Sequence, residues 1–405
     1  NHGAPLMRWV NGGVTAAKGF KAAGVSAGIK RNRKPDLALV VCARPVTAAG
    51  VFTRNRVQAA PVVISKARLR RGRAQAVLIN SGCANCLTGA PGTTDALRIG
   101  RAAAQALGIE EEMVLLASTG LIGRRLPVKR ITRAIPSAAR RASRRHHEAA
   151  AQAILTTDLY AKEAAIESRI NGRLCRVGGM AKGAGMIAPS LATMLCVLTT
   201  DVAIEPQLLK ELLRAAVERS FNRISVDGDM STNDTVFALA SGLAGVRIRR
   251  GTAAQHRFAR MLNVLTQRLA ARLVKDGEGV TRIATVDIRG ARTEAEANAC
   301  ARQVANSPLV KTMLAGSDPN VGRIAAAVGA SEAHMDPRKL EIRISGQRVV
   351  SRGTALRLSK SVTRTLLRRP EVPIRVDLHA GRAQGAMMSG DLTEEYVRIN
   401  AGYAT

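Results

Sequence analysis

Two glycine-containing stretches hold the side chains best placed to do chemistry. Gly178–Gly185 (GGMAKGAG) sets Lys182 among glycines at 178, 179, 183 and 185, where backbone can approach a ligand closely. It runs on through Ala192 to Thr193, at the mouth of the apolar run MLCVLTT. The second stretch, Ser118-Thr119-Gly120, follows the apolar run Met113–Ala117, and α/β proteins commonly place sites at strand ends. From these residues alone two readings of Thr193 stand. It is an ordinary β-branched core residue entering a strand, or it belongs to a ligand site. The glycines and Lys182 argue for the second.

Other chemistries find no support. Gly178–Gly185 lacks the Gly-Lys-Ser/Thr order that cradles phosphates, and no dinucleotide fingerprint occurs. The six histidines, at 2, 146, 147, 256, 334 and 379, have no metal-ligand spacing, so neither metal nor cofactor is expected. His146-His147-Glu148 on an arginine-rich helix reads as an exposed face. Cys83 and Cys86 have redox spacing but sit among small residues after an apolar run, which fits buried inert thiols better.

Elements to position these residues are legible in the hydrophobic pattern. Asp36–Cys42, Gln75–Asn80, Met113–Ala117, Met194–Thr200, Arg282–Ile288 and Ile374–Leu378 read as strands. Asp95–Leu107, Ile131–Leu155, Pro206–Arg219 and Ala253–Lys275 read as helices. The class is α/β, and 405 residues suffice for two lobes, with the boundary expected around Asp276–Gly279. Aromatics make up only 2% of the chain, so Ala, Val, Leu and Ile must build the core. The six cysteines are spread widely, as in a reducing compartment, and no basic-then-apolar leader opens the sequence. The longest apolar stretch, Met186–Leu198, is broken by Pro189, Ser190 and Thr193 and falls short of the ~20 residues of a membrane helix. A soluble cytoplasmic protein with no membrane partner is expected. The formal charge is +32, and part of the arginine excess falls in separated clusters at 68–73, 140–145, 247–250 and 364–369. No aromatics interleave with them, so specific nucleic-acid binding is not expected, although polyanions should bind at low salt.

One further observation gathers these pieces. Ala181–Asp201 (AKGAGMIAPSLATMLCVLTTD) closely resembles the self-processing segment of the ornithine acetyltransferase family. Gly13–Gly28, Ala49–Arg56, Ser118–Gly123, Phe221–Thr235, Leu309–Arg323 and Asp391–Thr405 resemble the same family in the same order. The resemblance implies an α/β fold of layered sheets and helices, shared with self-processing aminopeptidases. It also implies self-cleavage between Ala192 and Thr193, giving fragments 1–192 and 193–405 that stay associated, with two copies of each. The implied reaction moves acetyl from N-acetylornithine to glutamate through an acetyl-Thr193, releasing ornithine and N-acetylglutamate in arginine biosynthesis. A related aminopeptidase or amidohydrolase is the alternative.

The same resemblance implies that Thr119 and Gly120 stabilise the oxyanion, and that Thr156, Lys182, Thr193, Glu278, Asn400 and Thr405 contact substrate. Chemically, Lys182 suits a carboxylate and Glu278 an ammonium, while hydroxyls and the Asn400 amide set orientation. Asp234, in STND, is left outside this set. Leu159, Val321, Cys83 and Gly390 depart from the usual family residues, which bears on substrate preference rather than on reaction class.

Overall fold

The computed structural model describes residues 7–188, 194–316 and 318–402. These residues divide into two units. One takes Asn1–Gly183, Ser190–Asn222 and Met230–Leu273; the other takes Ala184–Pro189, Arg223–Asp229 and Val274–Thr405.

The first unit is built on a nine-stranded sheet. Its strands are β1 (Arg8–Val10), β2 (Phe20–Val25), β3 (Leu37–Phe52), β4 (Arg73–Asn80), β5 (Val114–Ser118), β6 (Lys162–Ile170), β7 (Arg173–Lys182), β8 (Leu195–Thr200) and β9 (Thr235–Ala240). The order is β1-β6-β7-β8-β9-β3-β4-β5, with β2 also pairing with β3. β8 and β9 are buried at every position, which is why their sequences read as unbroken apolar runs. β3 is longer than the expected Asp36–Cys42. It runs on to Phe52 through a register shift between Val41 and Val46, where Pro45 is tolerated because the ladder is interrupted.

The helices of this unit include α1 (Ala60–Arg68), α2 (Gly89–Leu107), α3 (Val128–Arg141), α4 (His147–Ala153) and α5 (Pro206–Glu218). The single helix expected over Ile131–Leu155 is two, α3 and α4. The break falls where Ser143 leaves the helical path to exchange two backbone hydrogen bonds with Ala22 of β2, at 2.9 and 3.0 Å. Tertiary pairing outweighs the local period here. His147 is half-buried rather than part of an exposed face, since its Nδ1 meets the Glu163 carboxylate at 2.8 Å. All six cysteines are buried and free.

The second unit carries a seven-stranded sheet in the order Ile224–Ser225, Ala383–Gly390, Ile283–Ala291, Glu371–Asp377, Glu341–Ile344, Gln347–Ser351, Thr354–Ala355. Its core is aliphatic: Val286, Ile288, Ile342, Ile344, Ile374 and Val376 pack against Cys300, Val304 and Met313. No helix among the described residues is long and apolar enough to cross a membrane.

Candidate functional site

The ends of β5 and β7, and the loop before β6, bring three of the expected residues together in the first unit. Lys182 closes β7 and is almost wholly buried. Its ammonium donates to Thr156 Oγ1 at 2.6 Å and to Thr119 Oγ1 at 3.3 Å. Burying a cation this deeply is costly without an opposite charge. Asp158 supplies one, 3.8 Å from the Lys182 Nζ.

Asp158 is the hub of the arrangement, and the sequence reading passed over it. Its Oδ1 accepts from the Gly183 N–H and the buried Lys162 ammonium, both at 2.7 Å. Its Oδ2 accepts from the Thr156 N–H at 3.0 Å. Burial alone would raise its pKa, but the charges of Lys182 and Lys162 and these donors outweigh that and hold the carboxyl well below the usual carboxylate range. One carboxylate thus fixes the Thr156 backbone, the start of the glycine loop and two cations. Two signals in the sequence point to it: the acid that closes TTD two residues beyond Thr156, and Lys162 placed four residues after that acid.

Thr119 is buried at the end of β5, where its N–H donates to the Asn80 carbonyl at 3.0 Å. Gly120 follows with φ +124°, and a Cβ there would lie 2.3 Å from the Gly82 carbonyl carbon, so only glycine fits. Asn233 supports the turn by donating to the Ser118 carbonyl at 2.6 Å. Lys30 is another residue the sequence reading did not single out. Its loop folds over the buried Asp36 carboxylate, which accepts the N–H groups of Ala27, Ile29 and Lys30. Burial brings the Lys30 pKa down to about 8, with Asp36 opposing the fall and Lys182 adding to it.

Ala192, Thr193 and Thr405 lie outside the described residues. Met194, the next residue after Thr193, is described: its N–H donates to Asp234 Oδ1 at 3.0 Å, and Thr235 N–H donates to its carbonyl at 3.2 Å. Asp234 Oδ2 has no hydrogen-bond partner among the described residues. Burial pushes the Asp234 carboxyl well above its ordinary value.

Glu278 and Asn400 come together within the second unit. Glu278 is largely buried, its N–H held by the Ala184 carbonyl at 2.9 Å. Asn400, on the helix Glu394–Gly402, donates from Nδ2 to Glu278 Oε2 at 2.9 Å. The Tyr396 hydroxyl of the same helix donates to Asp227 at 3.2 Å, and Asp227 also accepts the N–H groups of Met186 and Ile187. No group of His, Cys, Asp and Glu among the described residues is arranged to hold a metal ion.

Comparison with known proteins gives a consistent picture. Residues 21–405 match the ArgJ family. The arginine biosynthesis bifunctional protein ArgJ of Symbiobacterium thermophilum is 45% identical over 402 residues, covering 98% of this chain and 100% of that protein. The chloroplastic protein of the same name from Citrullus lanatus is 42% identical, covering 98% and 89%. A solved chain of ornithine acetyltransferase from Mycobacterium tuberculosis, complexed with ornithine, is 44% identical, with a TM-score of 0.44. It covers 46% of this chain and 100% of that one. A family match of this extent, with relatives above 40% identity along nearly the whole sequence, means that this chain belongs to the ArgJ family.

Proposed function

We propose that this chain is a glutamate N-acetyltransferase of arginine biosynthesis, acting through an acetyl group carried on Thr193. The observation that carries the reading is the buried Lys182 ammonium held between the Thr156 and Thr119 hydroxyls, beside a turn that only Gly120 can make. A buried cation with two hydroxyls suits an amino-acid carboxylate, and a glycine turn beside them suits a nearby oxyanion.

Maturation comes first. The Thr193 hydroxyl attacks the Ala192 carbonyl carbon, the C–N bond breaks and an ester forms. Water then hydrolyses the ester, leaving a free α-amino group on Thr193. That amine titrates near ~8 and takes the hydroxyl proton in the next attack, so no histidine is needed. Fragments 1–192 and 193–405 stay associated, two copies of each, in the cytoplasm.

In turnover, the hydroxyl attacks the acetyl carbonyl of N-acetylornithine and Thr119 with Gly120 stabilises the oxyanion. Ornithine leaves as the amine, and the glutamate amine then takes the acetyl group from the threonine ester. Lys182 and Thr156 anchor the substrate carboxylate. Glu278, oriented by Asn400, suits the ornithine ammonium, and Thr405 completes the substrate contacts.

Intact mass spectrometry tests the reading. Purified protein should give two fragments, and brief exposure to N-acetylornithine should add one acetyl group to the fragment beginning at Thr193. Thr193→Ala should remain one uncut chain without activity. Single-piece protein that still turns over defeats the mechanism. Release of free acetate, with no transfer to glutamate, favours the hydrolase instead.

A further inference from the structure

Asp227 has no part in the bond changes set out above, yet it holds the chain just ahead of the bond proposed to break. Met186 and Ile187 both donate their N–H groups to its half-buried carboxylate, at 2.5 and 2.7 Å. Beyond the cut, the Asp234 carboxylate holds the Met194 N–H. Each of these ties lies within one unit, the first in the second unit and the other in the first. They share an offset: Ile187 and Asp227 are 40 residues apart, and so are Met194 and Asp234. It is the register of the parallel strands that follow, in which Leu195 of β8 stands opposite Thr235 of β9. One stretch, residues 227–234 (DGDMSTND), therefore anchors both ends of another, residues 187–194.

The upstream anchor is the more elaborate. Ile187 is fully buried, and its carbonyl accepts the Val226 N–H at 2.8 Å and the Ser225 hydroxyl at 3.3 Å, so both of its backbone groups are fixed. Met186 differs. Its φ is +55°, the left-handed region that residues with a Cβ rarely occupy. Its side chain is 39% exposed, so packing supplies little to keep it there. The carboxylate supplies the hold. A left-handed residue can turn successive N–H groups toward one side and form a concave seat for an anion, which Asp227 fills. Strain of this kind persists only where the surroundings impose it. The Asp229 N–H and the Tyr396 hydroxyl, each at 3.2 Å, complete the donors around Asp227.

We propose that Asp227 is a positioning residue for self-cleavage: by fixing the left-handed turn at Met186, it sets the path of the chain into the Ala192–Thr193 bond. The assignment rests on the cleavage proposed above and deepens it. Asp227 acts through the backbone, limiting where the Thr193 hydroxyl and the Ala192 carbonyl can lie. Misplacing two reacting groups by about 1 Å can cost about 100-fold in rate, so a lost anchor should be felt as slow cutting.

Synthesis of the full chain in a cell-free system, followed on a denaturing gel, gives the half-time for one band to become two. Asp227→Asn replaces one acceptor oxygen with a donor and should lengthen that half-time by about tenfold or more. Asp229→Asn, at an exposed acid of the same loop, removes the same charge and should change it by less than about twofold. Met186 gives a test independent of Asp227. Met186→Gly adopts the turn freely and should cut at about the parent's rate, whereas Met186→Val, branched at Cβ, should be slowed by about tenfold. Melting temperatures, taken with each variant combined with Thr193→Ala so that all chains are uncut, check folding. If Asp227→Asn melts early, the Met186 pair decides. The assignment falls if Asp227→Asn cuts within about twofold of the parent, if Asp229→Asn is slowed as much, or if Met186→Val cuts as fast as Met186→Gly. A parent that never cuts overturns the proposed maturation and this assignment together. A parent that cuts, with any of those three results, overturns this assignment alone.

Discussion

Asp158 and Asp234 have buried carboxylates in the same unit, and their charges are settled in opposite ways. Asp158 stands against two lysines and accepts two backbone N–H groups, so it is held ionised. Asp234 accepts one backbone N–H, from Met194, and leaves Oδ2 without a partner among the described residues. Lys182 favours the charged form of both, but at Asp234 desolvation is the larger effect, and the carboxyl is pushed toward its neutral form. Burial alone therefore does not decide the charge of an acid; adjacent cations do. An Asp234 that resists ionisation suits the proposed chemistry, since an added anion beside Met194 would oppose a developing oxyanion.

The comparison breaks most severely at Asp158. Asp158→Asn removes the carboxylate that Lys162 and Lys182 share, and opening a buried ion pair on one side costs about 3–5 kcal/mol. Urea unfolding should show a loss of this size. A change under about 1 kcal/mol would mean that the lysines are compensated without Asp158. The pH dependence follows from the depressed pKa. The stabilisation from Asp158 is fully present above its unfolded pKa of about 4, and is lost as pH falls through the lower folded value.

Lys182→Ala separates positioning from stability. Asp158 keeps Lys162 and both backbone donors in this variant, so folding should suffer less than in Asp158→Asn. Loss of a charged hydrogen bond to a substrate carboxylate is worth about 1.5–3 kcal/mol, or roughly 10- to 150-fold in kcat/KM. Steady-state kinetics with N-acetylornithine, alongside a melting curve, measure both. A collapse in melting temperature with little kinetic effect would make Lys182 a structural cation.

How much of this was legible in sequence differs between elements. β8 and α5 declare themselves, one as an unbroken apolar run and the other by helical spacing after Pro206. The β6–β7 hairpin escaped because its strands are buried on both faces over much of their length and do not alternate. Its turn was nonetheless visible: Asn171-Gly172, both at positive φ, is a strong hairpin signal. Of the residues brought together at the site, Lys182 and Thr119 were visible from the glycines and the strand end, and Thr156 only from motif resemblance. Asp158 and Lys30 were not found, because their importance lies in the loops they fix, and no single motif states that. Pairing of Ser143 with Ala22 likewise depends on contacts far apart in sequence.

The finest test of the comparison is Asp234→Asn. The amide oxygen can still accept from Met194, so the change removes little but the ability to ionise. A carboxyl with a raised folded pKa binds its proton more tightly in the native state than in the unfolded one. Its favourable contribution is therefore complete below the unfolded pKa of about 4, and declines as pH rises toward the folded value. Asp234→Asn abolishes that decline. Relative to the parent, the variant should gain up to about 1.4 kcal/mol for each pH unit climbed between about pH 5 and the folded pKa, the slope of one proton. Denaturant melts at about pH 5, 6 and 7 give the difference directly. Parallel stability curves for variant and parent would show that Asp234 titrates normally, and the contrast with Asp158 would then be one of hydrogen bonding and not of charge.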